Sequence, residues 1–211
     1  MTKTERHGMV KSVKVSPRWS MIERTQSLTL EEFARRFEQS PFEIIDGRWI
    51  PMSPTSFGHG TVTKRIVARF LEYEQEHDTG EVFFEVPFIL VDQSNWVTGS
   101  RVPDVMFIRR ERLAAYRREI PDHAEKPLIL VPDIVVEVVS PTDLYSEVNR
   151  KVDSYLEDGV QIIWIFDPQR KRVSEYHLGS EQPREFGLED TLSGGEVAPD
   201  LELKITDVFR D

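Results

Sequence analysis

The sequence predicts an α/β protein with a mixed β-sheet core flanked by helices. Five segments rich in β-branched and aromatic residues are typical of strands: EVFFEVPFILV, RVPDVMFIR, DIVVEVVS, QIIWIFD and RVSEYHL. Two segments carry apolar residues at helical spacing, HGTVTKRIVARFLEYEQEH and DLYSEVNRKVDSYLEDG. Because the two kinds of segment alternate along the chain, we expect helices packed on a sheet.

A short helix and a β-hairpin are predicted before the first of these segments. LEEFARRFEQS follows two candidate N-caps, Ser27 and Thr29, and separates Phe33 from Phe37 by about one helical turn. FEIIDGRWIPMS contains the Asp-Gly pair at 46–47, which favours a tight turn between two strands.

Both longer helices are predicted from one apolar face each. In the first, which should end near Gly80, the inward residues are Val62, Ile66, Val67, Phe70 and Leu71. In the second, which Gly159 should close, they are Leu144, Val148, Val152, Tyr155 and Leu156. Tyr155, Trp164 and Phe166 are interpreted as packing residues.

Length and composition predict a single domain over residues 27–211, preceded by a basic, flexible arm over residues 1–26. The chain has no cysteine, which excludes disulfides, zinc ribbons and thiol nucleophiles, so any metal must bind Asp, Glu or His. The sequence has no apolar stretch of about 18 residues and no apolar signal segment. We therefore expect a cytoplasmic protein.

Charge is unevenly distributed along the chain. The formal net charge of −10 argues against a protein that simply coats nucleic acid, because such binding needs a basic surface. Residues 1–26 nevertheless carry six Lys or Arg against two Glu, and RRERLAAYRRE at 109–119 is a second basic cluster. These segments fit either a solvated arm and helix or a surface that contacts phosphates.

One glutamate interrupts an apolar run. In LVPDIVVEVVSPTD, alternation along a strand places Val135, Glu137 and Val139 on the same face. A buried carboxylate must be neutralised, paired with a cation or bound to a metal. A second carboxylate nearby would favour the metal.

Two Pro-Asp pairs offer that second carboxylate. Asp133 precedes Glu137 by four residues, which is ~13 Å along a strand and too far to share an ion. Asp104 belongs to another predicted strand, and neighbouring strands lie ~4.8 Å apart, a spacing that suits one divalent ion. Asp104 also fits a plain turn or sheet-edge carboxylate, and Asp133 is interpreted as a strand-entry residue.

The order of these segments resembles the PD-(D/E)XK nuclease superfamily, and within it the branch of restriction endonucleases known as the Uma family. The resemblance rests on the Pro-Asp strand, VVEVVSPTD, KVDSYLEDGV and IIWIFDPQRKRVSEYH, and it extends from about Leu28 to Phe209. It implies a restriction-endonuclease-like fold and hydrolysis of phosphodiester bonds in nucleic acid, with DNA as the expected substrate.

Residue by residue, the resemblance implies that Asp104 and Glu137 bind Mg²⁺ or Mn²⁺, with the backbone carbonyl of Val138 as a further ligand. The usual motif has lysine at the position of Val139. In this branch the lysine is thought to lie on the next helix, which makes Lys151 the candidate. Taken alone, Lys151 also fits an ordinary solvated helix lysine.

Two further residues match the family pattern. Glu43 is expected to hold a metal-bound water or a second ion, although a solvent-facing hairpin glutamate is the alternative. His59 is expected just before a helix N-terminus, where it would bind phosphate or act as a plain cap.

The expected function is that of a Mg²⁺-dependent endonuclease, in which Lys151 stabilises developing negative charge. A homodimer would suit cleavage of both DNA strands. The alternative is a nuclease-like module that binds nucleic acid or protein without cleaving, which the acidic composition and Val139 favour. No serine-hydrolase order, glycine-rich phosphate loop or HExxH motif occurs in the sequence.

Overall fold

A computed structural model describes residues 28–210. Within that range the α-helices are α1 (Leu30–Gln39), α2 (Phe57–Glu76), α3 (Arg110–Glu119), α4 (Tyr145–Asp158) and α5 (Ile205–Val208). A short 3₁₀ helix spans His123–Glu125. The predicted arm of residues 1–26 lies outside the described residues, and the predicted extent of the single domain stays a prediction.

The strands of the described region number thirteen. In chain order they are β1 (Leu28–Thr29), β2 (Phe42–Ile45), β3 (Arg48–Pro51), β4 (Gly80–Phe84), β5 (Phe88–Val91), β6 (Trp96–Arg101), β7 (Val105–Arg109), β8 (Ile134–Val138), β9 (Ile162–Asp167), β10 (Arg172–His177), β11 (Arg184–Phe186), β12 (Thr191–Ser193) and β13 (Glu202–Lys204).

A six-stranded sheet forms the centre of the fold, with strand order β11-β10-β9-β8-β7-β4. Strands β8 and β9 are parallel, whereas the other neighbouring pairs of this sheet are antiparallel. The parallel pair needs a crossover connection, which contains α4. The predicted α/β class with a mixed sheet flanked by helices is confirmed.

Alternation along β8 divides the core between the two faces of this sheet. Ile134, Val136 and Val138 pack in the cluster that contains the buried face of α2. Val135 faces the other way, into the cluster that contains Val152 and Tyr155 of α4. Glu137 alternates with Val136 and Val138, so it lies on the α4 side.

A second sheet carries the predicted N-terminal helix and hairpin. Its strand order is β1-β6-β2-β3, with β5 also paired to β6. Asp46 and Gly47 both have positive φ, 51° and 67°, as the tight turn between β2 and β3 requires. Thr29 caps α1 by accepting the backbone N–H of Glu32 at 3.2 Å. The other candidate cap, Ser27, lies outside the described residues.

One predicted strand is two strands in different sheets. EVFFEVPFILV divides into β4 of the six-stranded sheet and β5 of the five-stranded sheet. Glu85 between them has a φ of 55°, which a continuous strand does not allow. Strand propensity is high on both sides of this residue, so composition did not reveal the break.

Both long helices differ from the predicted boundaries. α2 ends at Glu76 rather than near Gly80; Leu71 on it is 38% exposed, and Tyr73 is buried in its place. Leu144 precedes α4 and is 60% exposed, because the helix begins only at Tyr145. The remaining inward positions of both helices are buried or partly buried against the sheet.

None of the helices within residues 28–210 combines the length and the apolar character that crossing a membrane requires.

Candidate active site

Glu137 lies near the end of β8 with its carboxylate against two side chains of α4. The Lys151 amine is 3.3 Å from both carboxylate oxygens. The Tyr155 hydroxyl donates a short hydrogen bond to Oε1. The Glu137 side chain is only 12% exposed, so these contacts replace much of its hydration.

Lys151 also joins the two sheets. Its amine lies 3.3 Å from Oε2 of Glu43, which is on β2 of the other sheet. Glu43 is buried, and its Oε1 accepts the backbone N–H of Val102 at 2.9 Å. The solvent-facing alternative for Glu43 is therefore wrong. Lys151 is 30% exposed and contacts two carboxylates, unlike an ordinary solvated helix lysine.

Asp104 immediately precedes β7, at the level of Glu137. Val105 pairs with Val136 in the antiparallel β7–β8 register, and one further step places Asp104 opposite Glu137. Its Oδ2 accepts the backbone N–H of Val138 at 2.7 Å. The same oxygen lies 3.1 Å from Nε2 of His59.

His59 is the third residue of α2, rather than a residue before the helix. Ser56 is the N-cap, and its hydroxyl accepts the backbone N–H of His59 at 3.2 Å. The hydrogen bond to Asp104 raises the pKa of His59; burial opposes the shift, and the charges of Asp104, Glu137 and Asp143 add to it. The predicted capping alternative is wrong, because the histidine ring contacts a carboxylate.

Carboxylates outnumber lysines in this cluster. The Lys151 amine contacts the carboxylates of Glu43 and Glu137, and Asp104 adds a third carboxylate to the same cluster. Burial raises the pKa of Glu137 to about 7; Lys151 and Tyr155 oppose the shift, and the charges of Asp104 and Glu43 add to it. Burial lowers the pKa of Lys151, but the three carboxylates outweigh it and the net shift is upward.

The oxygen atoms of this cluster are of the kind that hard divalent cations prefer. Carboxylate and carbonyl oxygens are the ligands that Mg²⁺ prefers, and Mg²⁺ usually keeps several waters. In the described part of the chain, no three side chains of His, Asp or Glu form a ready-made metal site.

Asp133 lies at the opposite end of β8 and belongs to a separate ion-pair cluster. It is fully buried and accepts from Arg109 Nε at 2.9 Å and Gln161 Nε2 at 2.7 Å. Arg112 lies 3.0 Å from its other oxygen. This cluster ties the ends of β7, α3 and β9 together, in agreement with a strand-entry role.

The basic segment 109–119 is a helix whose arginines are largely paired. Arg109 and Arg112 pair with Asp133. Arg110 pairs with Asp78, and Arg117 contacts both oxygens of Glu81 at 2.7 Å. The segment lies beside Asp133, away from Glu137. These pairs account for much of its positive charge without a phosphate.

Tyr155 is the site residue that sequence reasoning missed, since it was interpreted as packing. Its helix offers a signal in retrospect: Lys151, Tyr155 and Asp158 follow one another at intervals of four and three residues. That spacing places all three on one helical face. Asp158 pairs with Arg101 of β6 at 3.1 Å, so the whole face contacts charged partners.

Known proteins share the family and the fold of this chain. A family model named Uma2 and described as "Putative restriction endonuclease" matches residues 29–206. A crystal structure of a "putative nuclease belonging to DUF820" from Anabaena variabilis superposes with a TM-score of 0.69 and 22% identity, covering 86% of this chain and 97% of that one. That likeness shows a shared fold. No curated protein matches the chain. Because the family model covers most of the sequence, the chain belongs to the Uma2 family.

Proposed function

We propose that this protein is a metal-dependent endonuclease that hydrolyses phosphodiester bonds in DNA. The observation that carries the proposal is the contact of Lys151 with Glu137 and Glu43, in a buried cluster where Asp104 adds a third carboxylate. Three carboxylates beside a single lysine are costly to keep ionised, and a bound cation would offset that cost. Membership of a family described as restriction endonucleases supports the same reaction.

Asp104, Glu137 and the backbone carbonyl of Val138 would hold the ion. A bound Mg²⁺ or Mn²⁺ supplies an acidified water and neutralises phosphoryl charge. Lys151 can place its positive charge next to the reacting phosphoryl group, because its amine already lies at Glu137 and a third of the side chain is exposed. This position replaces the lysine that Val139 lacks.

Glu43 and His59 are proposed to support these groups. Glu43 contacts Lys151 through Oε2, and its Oε1 is held by the backbone N–H of Val102. His59 can donate from Nε2 to Asp104 and thereby orient that carboxylate. In its charged form His59 also favours a nearby phosphate, as the start of α2 does.

The first turn of α2 supports the approach of a nucleic-acid strand. Gly58 and Gly60 flank His59, and a Cβ at either position would meet nothing within 4 Å. Neither glycine has positive φ, so the fold itself does not require them. Phe57 beside them is 92% exposed, a position in which an aromatic ring can stack on a base.

A homodimer would suit cleavage of both strands of a duplex, and we propose that this protein acts as one in the cytoplasm. The test is cleavage of supercoiled plasmid with Mg²⁺, Mn²⁺ or EDTA by the wild type, Asp104→Ala and Glu137→Gln. Divalent-dependent nicking that both variants lose supports the proposal. Binding of labelled DNA without turnover under all conditions would contradict it and support the non-cleaving module.

A further inference from the structure

We propose that Tyr155 is a positioning residue that orients the Glu137 carboxylate for metal binding, an inference that rests on the proposed function. The geometry that carries it is the hydrogen bond from the Tyr155 hydroxyl to Oε1 of Glu137.

The environment of Tyr155 explains why the hydroxyl matters. The ring is fully buried in the apolar cluster beneath α4, with the ring of Phe88 6.2 Å away. Phenylalanine would fill the same space, since packing here uses only the ring. A buried hydroxyl costs free energy unless it is hydrogen-bonded, and Glu137 provides the acceptor.

This hydrogen bond restricts the rotation of the carboxylate group. Lys151 contacts both oxygens of Glu137 and does not distinguish between them. Tyr155 donates to Oε1 and therefore distinguishes the two oxygens, so that Oε2, which Tyr155 does not contact, is the oxygen that would face an ion shared with Asp104. Partners of metal ligands commonly act in this way, by removing orientations that cannot bind.

α4 itself is anchored at the end beyond Tyr155. The Arg101 guanidinium lies 3.1 Å from Asp158 and donates to the carbonyl of Ile44 at 2.6 Å. Ile44 follows Glu43 on β2, so this contact ties α4 to the strand that carries Glu43. Contacts on both sides therefore fix the position of Tyr155 in α4: Lys151 contacts Glu43 and Glu137, and Asp158 pairs with Arg101.

The test is the Mn²⁺ affinity of Tyr155→Phe, measured by electron paramagnetic resonance. We expect a dissociation constant about 10-fold or more above that of the wild type, the size of effect that partners of metal ligands typically have. Tyr73→Phe is the matched control: Tyr73 is also fully buried, and its hydroxyl donates to the Pro199 carbonyl at 2.7 Å. This control should lose stability but keep the wild-type Mn²⁺ affinity.

A double-mutant cycle on the metal-free protein provides a second measurement. At pH 8, above the Glu137 pKa of about 7, Tyr155→Phe should change the unfolding equilibrium constant by a larger factor in the wild type than in the Glu137→Gln background, because only the wild type then offers the hydroxyl a charged acceptor. Equal factors in the two backgrounds would overturn the specific contact with Glu137.

Two outcomes separate this inference from the proposed function. Wild-type Mn²⁺ affinity in Tyr155→Phe, with a loss of stability like that of Tyr73→Phe, overturns the positioning role and leaves the nuclease proposal intact. Absence of Mn²⁺ binding by the wild type overturns the proposed function, and this inference with it.

Discussion

At the scale of single residues, Lys151 is the group whose role can be tested most directly. Lys151→Ala should lower plasmid cleavage on the order of 10²-fold or more, because it removes a charge that acts on the developing negative charge. Mn²⁺ affinity should change little, since Asp104 and Glu137 remain. Lys126→Ala is the control, because that amine pairs with Asp122 on the surface at 2.6 Å.

Restoring the usual lysine position extends this test. Residue 139 alternates onto the Glu137 face, so Val139→Lys combined with Lys151→Ala should recover part of the lost cleavage. Undiminished cleavage by Lys151→Ala alone would reject the role of the helix lysine.

Glu137 gives the metal-free protein a characteristic pH dependence. Its folded-state pKa of about 7 lies above the ordinary value of 4.5, so folding favours its protonated form. Its contribution to stability is therefore complete below pH 4.5 and is lost as pH rises through 7. At pH 8 the ionisation of Glu137 therefore lowers the free energy of unfolding by about 3 kcal/mol relative to pH values below 4.5, at 1.36 kcal/mol per pKa unit.

Glu137→Gln should remove this penalty. With EDTA present, we expect the variant to be more stable than the wild type at pH 8 and to show a flatter profile between pH 4.5 and 7, measured by urea unfolding. Glu175→Gln is the control, a buried strand glutamate that accepts from Trp164 at 2.9 Å and should show no such gain. Loss of stability in Glu137→Gln at pH 8 would identify Glu137 as a structural partner of Lys151.

At the scale of elements, the first turn of α2 combines low helix propensity with open space. Gly58→Ala and Gly60→Ala should each stabilise the protein by about 0.5–1 kcal/mol, since alanine loses less backbone entropy and the added Cβ meets nothing. If a nucleic-acid strand approaches this turn, the same methyl groups should weaken the binding of a labelled duplex.

Urea unfolding and fluorescence anisotropy measure these two effects separately. Gly187→Ala is the control, because its Cβ would have only an ordinary contact with Asp190 at 3.7 Å, in a segment remote from α2 in sequence. Stabilised α2 variants with unchanged DNA affinity would show that the nucleic acid does not bind at the first turn of α2.

At the scale of the whole molecule, metal binding should stabilise the fold at the end of β8 that carries Glu137, and not at the end beside Asp133. Mn²⁺ or Mg²⁺ should raise the melting temperature of the wild type, because a ligand that binds only the folded state stabilises it. Asp104→Ala should abolish that rise.

Asp133→Asn tests the other end of the same strand. It breaks a buried cluster with Arg109 and Arg112, so it should destabilise the protein by about 3–5 kcal/mol. The remaining folded protein should still respond to Mn²⁺ as the wild type does. Loss of the Mn²⁺ response in Asp133→Asn would contradict the independence of the Asp133 cluster and the Glu137 site.

The sequence by itself determined the α/β class, the hairpin at Asp46–Gly47 and the unusual burial of Glu137. These features depend on local periodicity and turn chemistry, which neighbouring residues encode. The distance between Asp133 and Glu137 was predictable for the same reason, since the rise per residue of a strand is nearly constant.

Only the tertiary structure decided which distant side chains meet. The contact of Glu43 with Lys151 joins two sheets, the pairing of the 109–119 arginines depends on Asp78, Glu81 and Asp133, and Tyr155 acquires a polar partner only because α4 packs over β8. The division of EVFFEVPFILV between two sheets has the same origin. Strand propensity is high on both sides of Glu85, and long-range strand pairing separates the two segments.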